Sequence, residues 1–506
     1  MNAGTSATPK TFERHVVNHD ATTLETLNLI KAQTAGVTSS TGIYGVDLGD
    51  LVSQIPVNTP FLDSVPRKLA TDGAKYAQWR VLTNINNLQS DPGTAFDWAA
   101  PLAQLNELDV SAPYGKIGFG YTVTRDAINF AKGYADPHAV AVMNAMNMYK
   151  IGADRKLLGG QVFALQTPSA PTVTTSTTGG TIAASTVVNV KVTARTGSNY
   201  YYGGSTVPST VGTVTTGAGS SNSASATVPA VVGAVAYDWW VANGAGTYFY
   251  LTTTTVNKVS ITAVPTSNNP IPNLPGINGT AMGTIPTVDS SAKATDFNGL
   301  LATLAGDYAS GGATGLVTRG SGVSSGASFT SLDGAAFTSS GQSINELDAL
   351  NSTIFNSIQA SPTRYLVSSQ EANSISKLLL ATAGGGTTFF TPGADGRHDV
   401  TAGGFIGHYV NKAAGGVAVP IQVHPNLAPG TLIAATDSGA PFAGADISNV
   451  LEMRQLEEVA DYQYATNRNS GVAGGGPRND GEVFSTSALI NKAPVGFGVI
   501  SNIAPN

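Results

Sequence analysis

The sequence predicts an α+β protein interrupted by an all-β domain. Three observations carry that expectation. Between Thr167 and Ser290 the only charged residues are Lys191, Arg195, Asp238, Lys258 and Asp289. Capped segments with helical spacing stand on both sides of that stretch. Within it, period-two alternation and Gly, Pro, Ser and Thr turns replace any helical period.

Residues 1–60 are polar and Thr/Ser-rich, and read as an extended arm with a short helix over 21–32 and an apolar cluster over 48–55. KYAQWRVLTNI (75–85) alternates, with Ala77, Trp79, Val81 and Ile85 on one face and Tyr76, Gln78, Arg80 and Asn84 on the other. YGKIGFGYTV (114–123) alternates likewise through Ile117, Phe119, Tyr121 and Val123. The 28 residues between them show no clear period, so the two strands read as a long hairpin with an irregular tip. An isolated hairpin is barely stable in water. Trp79, Val81, Ile117, Phe119 and Tyr121 are therefore expected to contact a neighbouring subunit. Asp136-Pro137 opens a helix, Asp as N-cap and Pro at the first position. Val142, Met146, Tyr149, Ala153 and Leu157 form its stripe, and Gly159-Gly160 ends it.

In the low-charge stretch, Val188, Val190 and Val192 mark one strand. AVAYDWWVA (234–242) and TYFYLTTTTV (247–256) flank Asn243-Gly244-Ala245-Gly246, a hairpin signal, and VSITAV (259–264) adds another strand. The expectation is a β-sandwich of immunoglobulin or fibronectin type, its core on Tyr237, Trp239 or Trp240 and the valines. Such an insert, 167–265, should fold alone. The prolines of 265–290 make its exit linker.

Helices then return. Ser343-Ile344-Asn345-Glu346 is a capping box opening a helix through Leu347, Leu350, Ile354 and Ile358. TRYLV (363–367) reads as a strand, followed by a second box, Ser368-Ser369-Gln370-Glu371, and a helix through Ile375, Leu378 and Leu379. Residues 417–426, 431–436, 482–490 and 495–500 read as strands.

Charged residues are 11% of the chain and the net charge is −6, without a Lys/Arg stripe, which argues against a binder working by phosphate neutralisation. Cysteine is absent, so no disulfide, thiolate site or thiol nucleophile is possible. The N-terminus lacks the apolar core of a signal peptide, and no run of about 18 apolar residues suggests a membrane span. No catalytic, cofactor or metal residue is expected. Gly322-Val323-Ser324-Ser325-Gly326 matches G-x-S-x-G, but its flanks are a Gly/Ser loop rather than strand and helix. His15 and His19 lack a third ligand, and Arg397-His398-Asp399 reads as a loop tip. The charge run Glu452, Arg454, Glu457, Glu458 and Asp461 reads as a solvated or subunit-facing edge.

Each projecting element needs a partner surface, which describes a subunit of an assembly. The order of TPFLDSVPRK, the hairpin, VTRDAI, a long helix ending DRKLLGG, then PTRYLVSSQEANSISKLLL, PIQVHPNLAPGTLIA and EVFSTSALINKAPVGFGVISNI resembles phage major capsid proteins of the Hong Kong 97 type. The resemblance covers residues 40–165 and 291–506. It implies an N-terminal arm (1–67), an E-loop hairpin (68–120), a peripheral domain with a spine helix (121–166), an inserted Ig-like β-sandwich and linker (167–290), an axial domain with an adjoining peripheral helix (291–445) and a return to the peripheral domain (446–506). It further implies hexamers and pentamers closing an icosahedral shell around packaged double-stranded DNA, contacted non-specifically, with the insert projecting. Implied partners are a separate scaffolding protein, a portal and decoration proteins, with assembly in the host cytoplasm and residence in the virion. No long N-terminal segment is expected to be removed. Lys75 and Lys116 lie at the hairpin base, so covalent cross-linking is not expected. The rival readings are a secreted surface-layer or adhesin-like protein, and a serine hydrolase using Ser324.

Overall fold

The computed structural model describes residues 56–70, 73, 75–85, 105–131, 136–269, 284–293, 295–308, 316–340, 343–382, 390–392, 398–400, 406–437, 449–464 and 478–506. The expected helix over 21–32, the cluster over 48–55 and the pair His15/His19 lie outside them. The chain from Val57 onward is a mixed α+β unit of several sheets.

Pro137–Gly159 is a helix of 23 residues, about 34 Å long at 1.5 Å per residue. Asp136 accepts the His138 amide at 2.9 Å and Pro137 takes the first turn, as the sequence predicts. Tyr149, Ala153 and Leu157 are buried, and Met146 packs against the same cluster. This helix lies against a four-stranded sheet ordered Arg67–Leu69, Leu451–Tyr464, Arg478–Asn491, Gly115–Thr124. Tyr149 Oη and Ser485 Oγ, 2.6 Å apart, join helix to sheet.

The expected hairpin has a different partner. Tyr76–Ile85 pairs antiparallel with Leu105–Pro113, in register Ala77↔Ala112, Trp79↔Val110, Val81↔Leu108. Gly115–Thr124 pairs instead with Arg478–Asn491, Ile117 opposite Ser485. The intervening residues do contain an alternating segment: Leu108, Val110 and Ala112 against Glu107, Asp109 and Ser111. A single residue, Tyr114, separates that strand from the next, so the chain runs through a bend and the second strand belongs to another sheet.

The low-charge stretch forms two antiparallel sheets. One is ordered Phe249–Thr254, Ala236–Asn243, Val187–Arg195, Gly212–Thr215, the other Lys258–Ile261, Ser223–Thr227, Thr172–Ser176. Val188, Val190, Val192, Tyr237, Trp239 and Val241 from the first sheet meet Ala224, Ala226, Val259 and Ile261 from the second in one buried cluster. This is a sandwich, but not with the immunoglobulin strand order. Numbered along the chain, its sheets are 6-5-2-3 and 7-4-1, where the immunoglobulin constant order puts the first, second, fifth and fourth strands together. Alternation predicted the faces; it carries no information on which strand lies next to which. Ala236–Asn243 is buried on both faces: Tyr237 and Trp239 point into the sandwich, while Trp240 stacks edge-on to Tyr250 at 5.6 Å in a separate cluster with Tyr200.

Two of the stretch's five charges explain themselves. Arg195 Nε donates to Asp238 Oδ2 at 2.7 Å, with both side chains almost wholly buried. The same pair anchors a short helix, Gly197–Tyr202, whose Asn199 carbonyl faces Arg195 and whose Asn199 amide donates to Ser290 O and Ser291 O. That helix meets the end of the long one. A Cβ on Gly159 would lie 2.6 Å from Gly197 Cα, so the approach requires glycine. Entry and exit of the stretch run side by side, with Leu165 N donating to Ser291 Oγ at 3.1 Å and Lys293 N to Gln161 O at 3.2 Å.

The remaining core is a six-stranded sheet ordered Ser328–Ser331, Gly498–Ser501, Leu432–Ala435, Arg364–Val367, Val417–Val423, His408–Asn411. Helices Asn345–Ile358 and Ser369–Thr382 contribute Leu347, Leu350, Ile354 and Ile375 to its cluster. Ser368 caps the second helix, its Oγ accepting the Gln370 amide, but the predicted box does not close, because the Glu371 carboxylate takes the Ser368 hydroxyl rather than its backbone amide. Burial holds that carboxyl above the ordinary glutamate range, against the bonds from Ser368, the Gly430 amide at 2.8 Å and Gln370. The first box does not form. Glu346 turns outward and accepts from Thr338 N and Oγ, while Ser343 is taken by Lys412. Both sequences fit the motif, but Thr338 offers Glu346 two donors on a paired strand edge that the motif does not see.

Candidate assembly interface

The hairpin Tyr76–Ile85/Leu105–Pro113 has one polar and one apolar face. On the polar face Arg80 bridges across the strands to Asp109 at 2.9 Å and Glu107 at 3.1 Å, all three exposed. On the apolar face Ala77 packs with Ala488 and Ile490 of the four-stranded sheet. Val110 packs with Tyr308 and Leu316, and Val81 and Leu108 lie against them. Trp79 touches both groups. The premise that only a neighbour can bury these side chains therefore fails at the hairpin base. Trp79 Nε1 is buried without a hydrogen-bond partner among the described residues. The tip, 86–104, lies outside the described residues.

Ile117, Phe119 and Tyr121 are not on this hairpin. Ile117 is buried in the main core and the two aromatics pack against that core. Tyr121 Oη donates to Asp461 Oδ1 at 2.8 Å and lies 3.4 Å from His138 Nε2. Burial, then the Asp461 bond and charge, push the Tyr121 hydroxyl up to about 12, so it stays a donor. The charge run is likewise engaged: Glu452 is buried between Arg454 (3.1 Å) and Lys492 (3.0 Å), and Glu457 accepts from Thr486. The far end of the long strand pair is exposed and aromatic, Tyr462 stacking on Phe484 at 4.6 Å with Tyr464 beyond.

Sequence reasoning missed a junction at the root of the arm. Phe61 and Leu62 are buried, and Leu62 N donates to Asp154 Oδ1 at 2.8 Å. Asp154 Oδ2 accepts from Asn426 Nδ2 at 2.6 Å and faces His424 Nε2 at 3.4 Å. His424 Nδ1 accepts the Asn426 amide at 3.1 Å, which leaves the ring proton on the nitrogen facing Asp154. Asp154 and His424 are fully buried. The junction ties together the motifs TPFLDSVPRK, DRKLLGG and PIQVHPNLAPG. A charged residue one position from the buried stripe of a helix was the visible signal.

The G-x-S-x-G loop has a structural explanation. Val323–Ser324 is a two-residue strand, with the next strand, not a helix, beginning at Ser328. The loop before it wraps the buried Asp307, whose Oδ2 accepts the amides of Gly320, Ser321 and Gly322. Ser324 Oγ accepts from the Gly326 amide. Among the described residues no cluster of His, Cys, Asp or Glu could hold a metal ion, and no helix is long and apolar enough to cross a membrane.

No protein family matches the sequence, and no curated protein matches it. Solved structures similar in arrangement include a cyanophage A-1(L) capsid asymmetric unit, at TM-score 0.43 and 10% identity, covering 92% of this chain and 99% of that one. A native GTA particle capsid gives TM-score 0.39 and 9% identity, over 93% and 100% of the two chains. The holo-SrpI encapsulin complex from Synechococcus elongatus PCC 7942 gives 0.37 and 8%, over 91% and 93%.

Proposed function

We propose that the chain is a shell-forming structural subunit, a major capsid protein of the Hong Kong 97 type, not an enzyme. One observation carries the reading. The C-terminal strands Leu451–Tyr464 and Arg478–Asn491 return across the chain to pair with Gly115–Thr124 against the long helix. That closure supports the order of parts the resemblance implies, an arm to 67, a hairpin from 68, a spine helix, an inserted sandwich over 167–290, an axial part to 445 and then a return. In this reading subunits gather as hexamers and pentamers into an icosahedral virion shell around double-stranded DNA. A separate scaffolding protein, a portal and decoration proteins act with it, and assembly takes place in the host cytoplasm.

The hairpin is the intersubunit arm, and Trp79 seats its base on its own subunit. Trp79→Ala then loosens the base of the arm. We expect a loss of roughly 3 kcal/mol in subunit stability, as for an aromatic truncated in a packed site, together with a sharp drop in closed particles. Electron microscopy of the purified wild-type chain tests the reading as a whole. Closed shells support it; flat lattices would favour a surface-layer protein, and dispersed monomers at high concentration would sink the shell reading.

A further inference from the structure

The sandwich stands on the rest of the chain at two places that differ in chemistry. The first is apolar. Val235 enters the main core with Leu301 and Leu304, and Leu165 enters the core of the sandwich. A Cβ on Gly233 would lie 3.0 Å from Ala305 Cβ and 3.3 Å from Leu165 Cδ2, so this root is closely packed. The second place is polar. There the turn 255–258 meets three turns at one end of the six-stranded sheet. Asn257 Nδ2 donates to Asp333 Oδ1 at 2.8 Å, just past strand Ser328–Ser331. Asp333 Oδ1 also accepts from Ser331 Oγ at 2.8 Å, and that hydroxyl accepts from Asn502 Nδ2 at 3.0 Å, just past strand Gly498–Ser501. Thr255 O lies 3.0 Å from where a Cβ on Gly430 would stand, just before strand Leu432–Ala435.

This polar contact is weakly supported. Asp333 (φ 49°) and Asn502 (φ 56°) hold left-handed backbone, which a Cβ disfavours. Asn257 Oδ1 and Asn502 Oδ1 are buried without a hydrogen-bond partner among the described residues, and an unpaired buried acceptor is destabilising. Apolar packing does not offset this: the sandwich core and the cluster under helices Asn345–Ile358 and Ser369–Thr382 share no residue.

We propose that the turn 255–258 is a releasable clasp, and that when Asn257 leaves Asp333 the sandwich pivots as a folded body on its apolar root. Apolar burial is non-directional and tolerates a small rotation. A hydrogen bond weakens steeply once its angle is lost. The directional contact therefore opens first, and its closure sets the orientation of the sandwich. The proposal does not depend on the shell reading.

The chain has no cysteine, so two introduced ones carry spin labels at defined places. Thr174→Cys lies on the exposed face of the sandwich and Ser352→Cys on the exposed side of helix Asn345–Ile358. Pulsed electron-spin resonance, on labelled full-length chains diluted among unlabelled ones, reads the distance within one chain. The parent should give a single narrow distribution. Asp333→Gly removes the acceptor and suits the left-handed backbone. It should at least double the width of the distribution while the near-ultraviolet circular dichroism and the melting of the sandwich stay as in the parent. Asp333→Asn keeps an acceptor oxygen and tolerates the same backbone, and should stay narrow. A broad distribution in the parent would show that no clasp closes. An unchanged width in Asp333→Gly would show that the root alone fixes the sandwich. A melted sandwich in Asp333→Gly would show that the bond supports the fold and not the orientation. Each of these three results overturns the proposal.

Discussion

Asp154→Ala is expected to destabilise the chain by roughly 3–5 kcal/mol, the usual cost of removing one partner from a buried polar pair. The carboxylate satisfies two donors, Leu62 N at 2.8 Å and Asn426 Nδ2 at 2.6 Å, and faces His424 Nε2 at 3.4 Å. All sit away from water, so alanine leaves donors that water cannot reach, at about 1–3 kcal/mol each. Asp154→Asn keeps one acceptor oxygen and should cost less. Urea unfolding monitored on the full chain measures both. A second readout locates the damage: Leu62 N is the tie that holds the 57–65 segment to the long helix, so proteolysis there should accelerate before global unfolding. A loss below 1 kcal/mol, with unchanged cleavage, would show that the junction does not fasten the arm.

The second large effect is expected in the inserted sandwich. Trp239 lies fully buried in the cluster between the two sheets, and its Nε1 donates to Thr254 Oγ1 at 2.8 Å. Trp239→Ala should cost roughly 3–5 kcal/mol through lost burial and the cavity left behind. The sandwich has its own core, so the loss should appear as an early, separate melting transition over 167–265. The six-stranded sheet, whose cluster shares no residue with it, should melt as before. Calorimetry of the full chain resolves this. Val235 sits in the main core and Asn257 donates to Asp333 at 2.8 Å, so some coupling between the two transitions is expected. A single unshifted transition would contradict the independence of the sandwich.

Much of the fold was legible because its signals are short-range. Asp136-Pro137 marked a helix start, Asn243-Gly244 a hairpin turn, Ser368 a cap, and each lies where the local rule places it. The apolar face of Tyr76–Ile85 was also legible, since alternation alone sorts Ala77, Trp79 and Val81 from Gln78 and Arg80.

Pairing was decided by the tertiary structure. Backbone hydrogen bonds are the same for every residue, so an alternating pattern says which face is buried but not which strand lies alongside. Gly115–Thr124 could have closed a hairpin with Tyr76–Ile85; it pairs instead with Arg478–Asn491, more than three hundred residues away, where Ile117 enters the main core. The arm-root junction follows the same logic. Asp154 stands out only by its place beside the helix's buried stripe, His424 and Asn426 look ordinary in the sequence, and only the packing of three distant segments removes the water that would otherwise satisfy them. Local residue chemistry determined the elements and their faces; long-range burial, which local patterns do not encode, decided their partners.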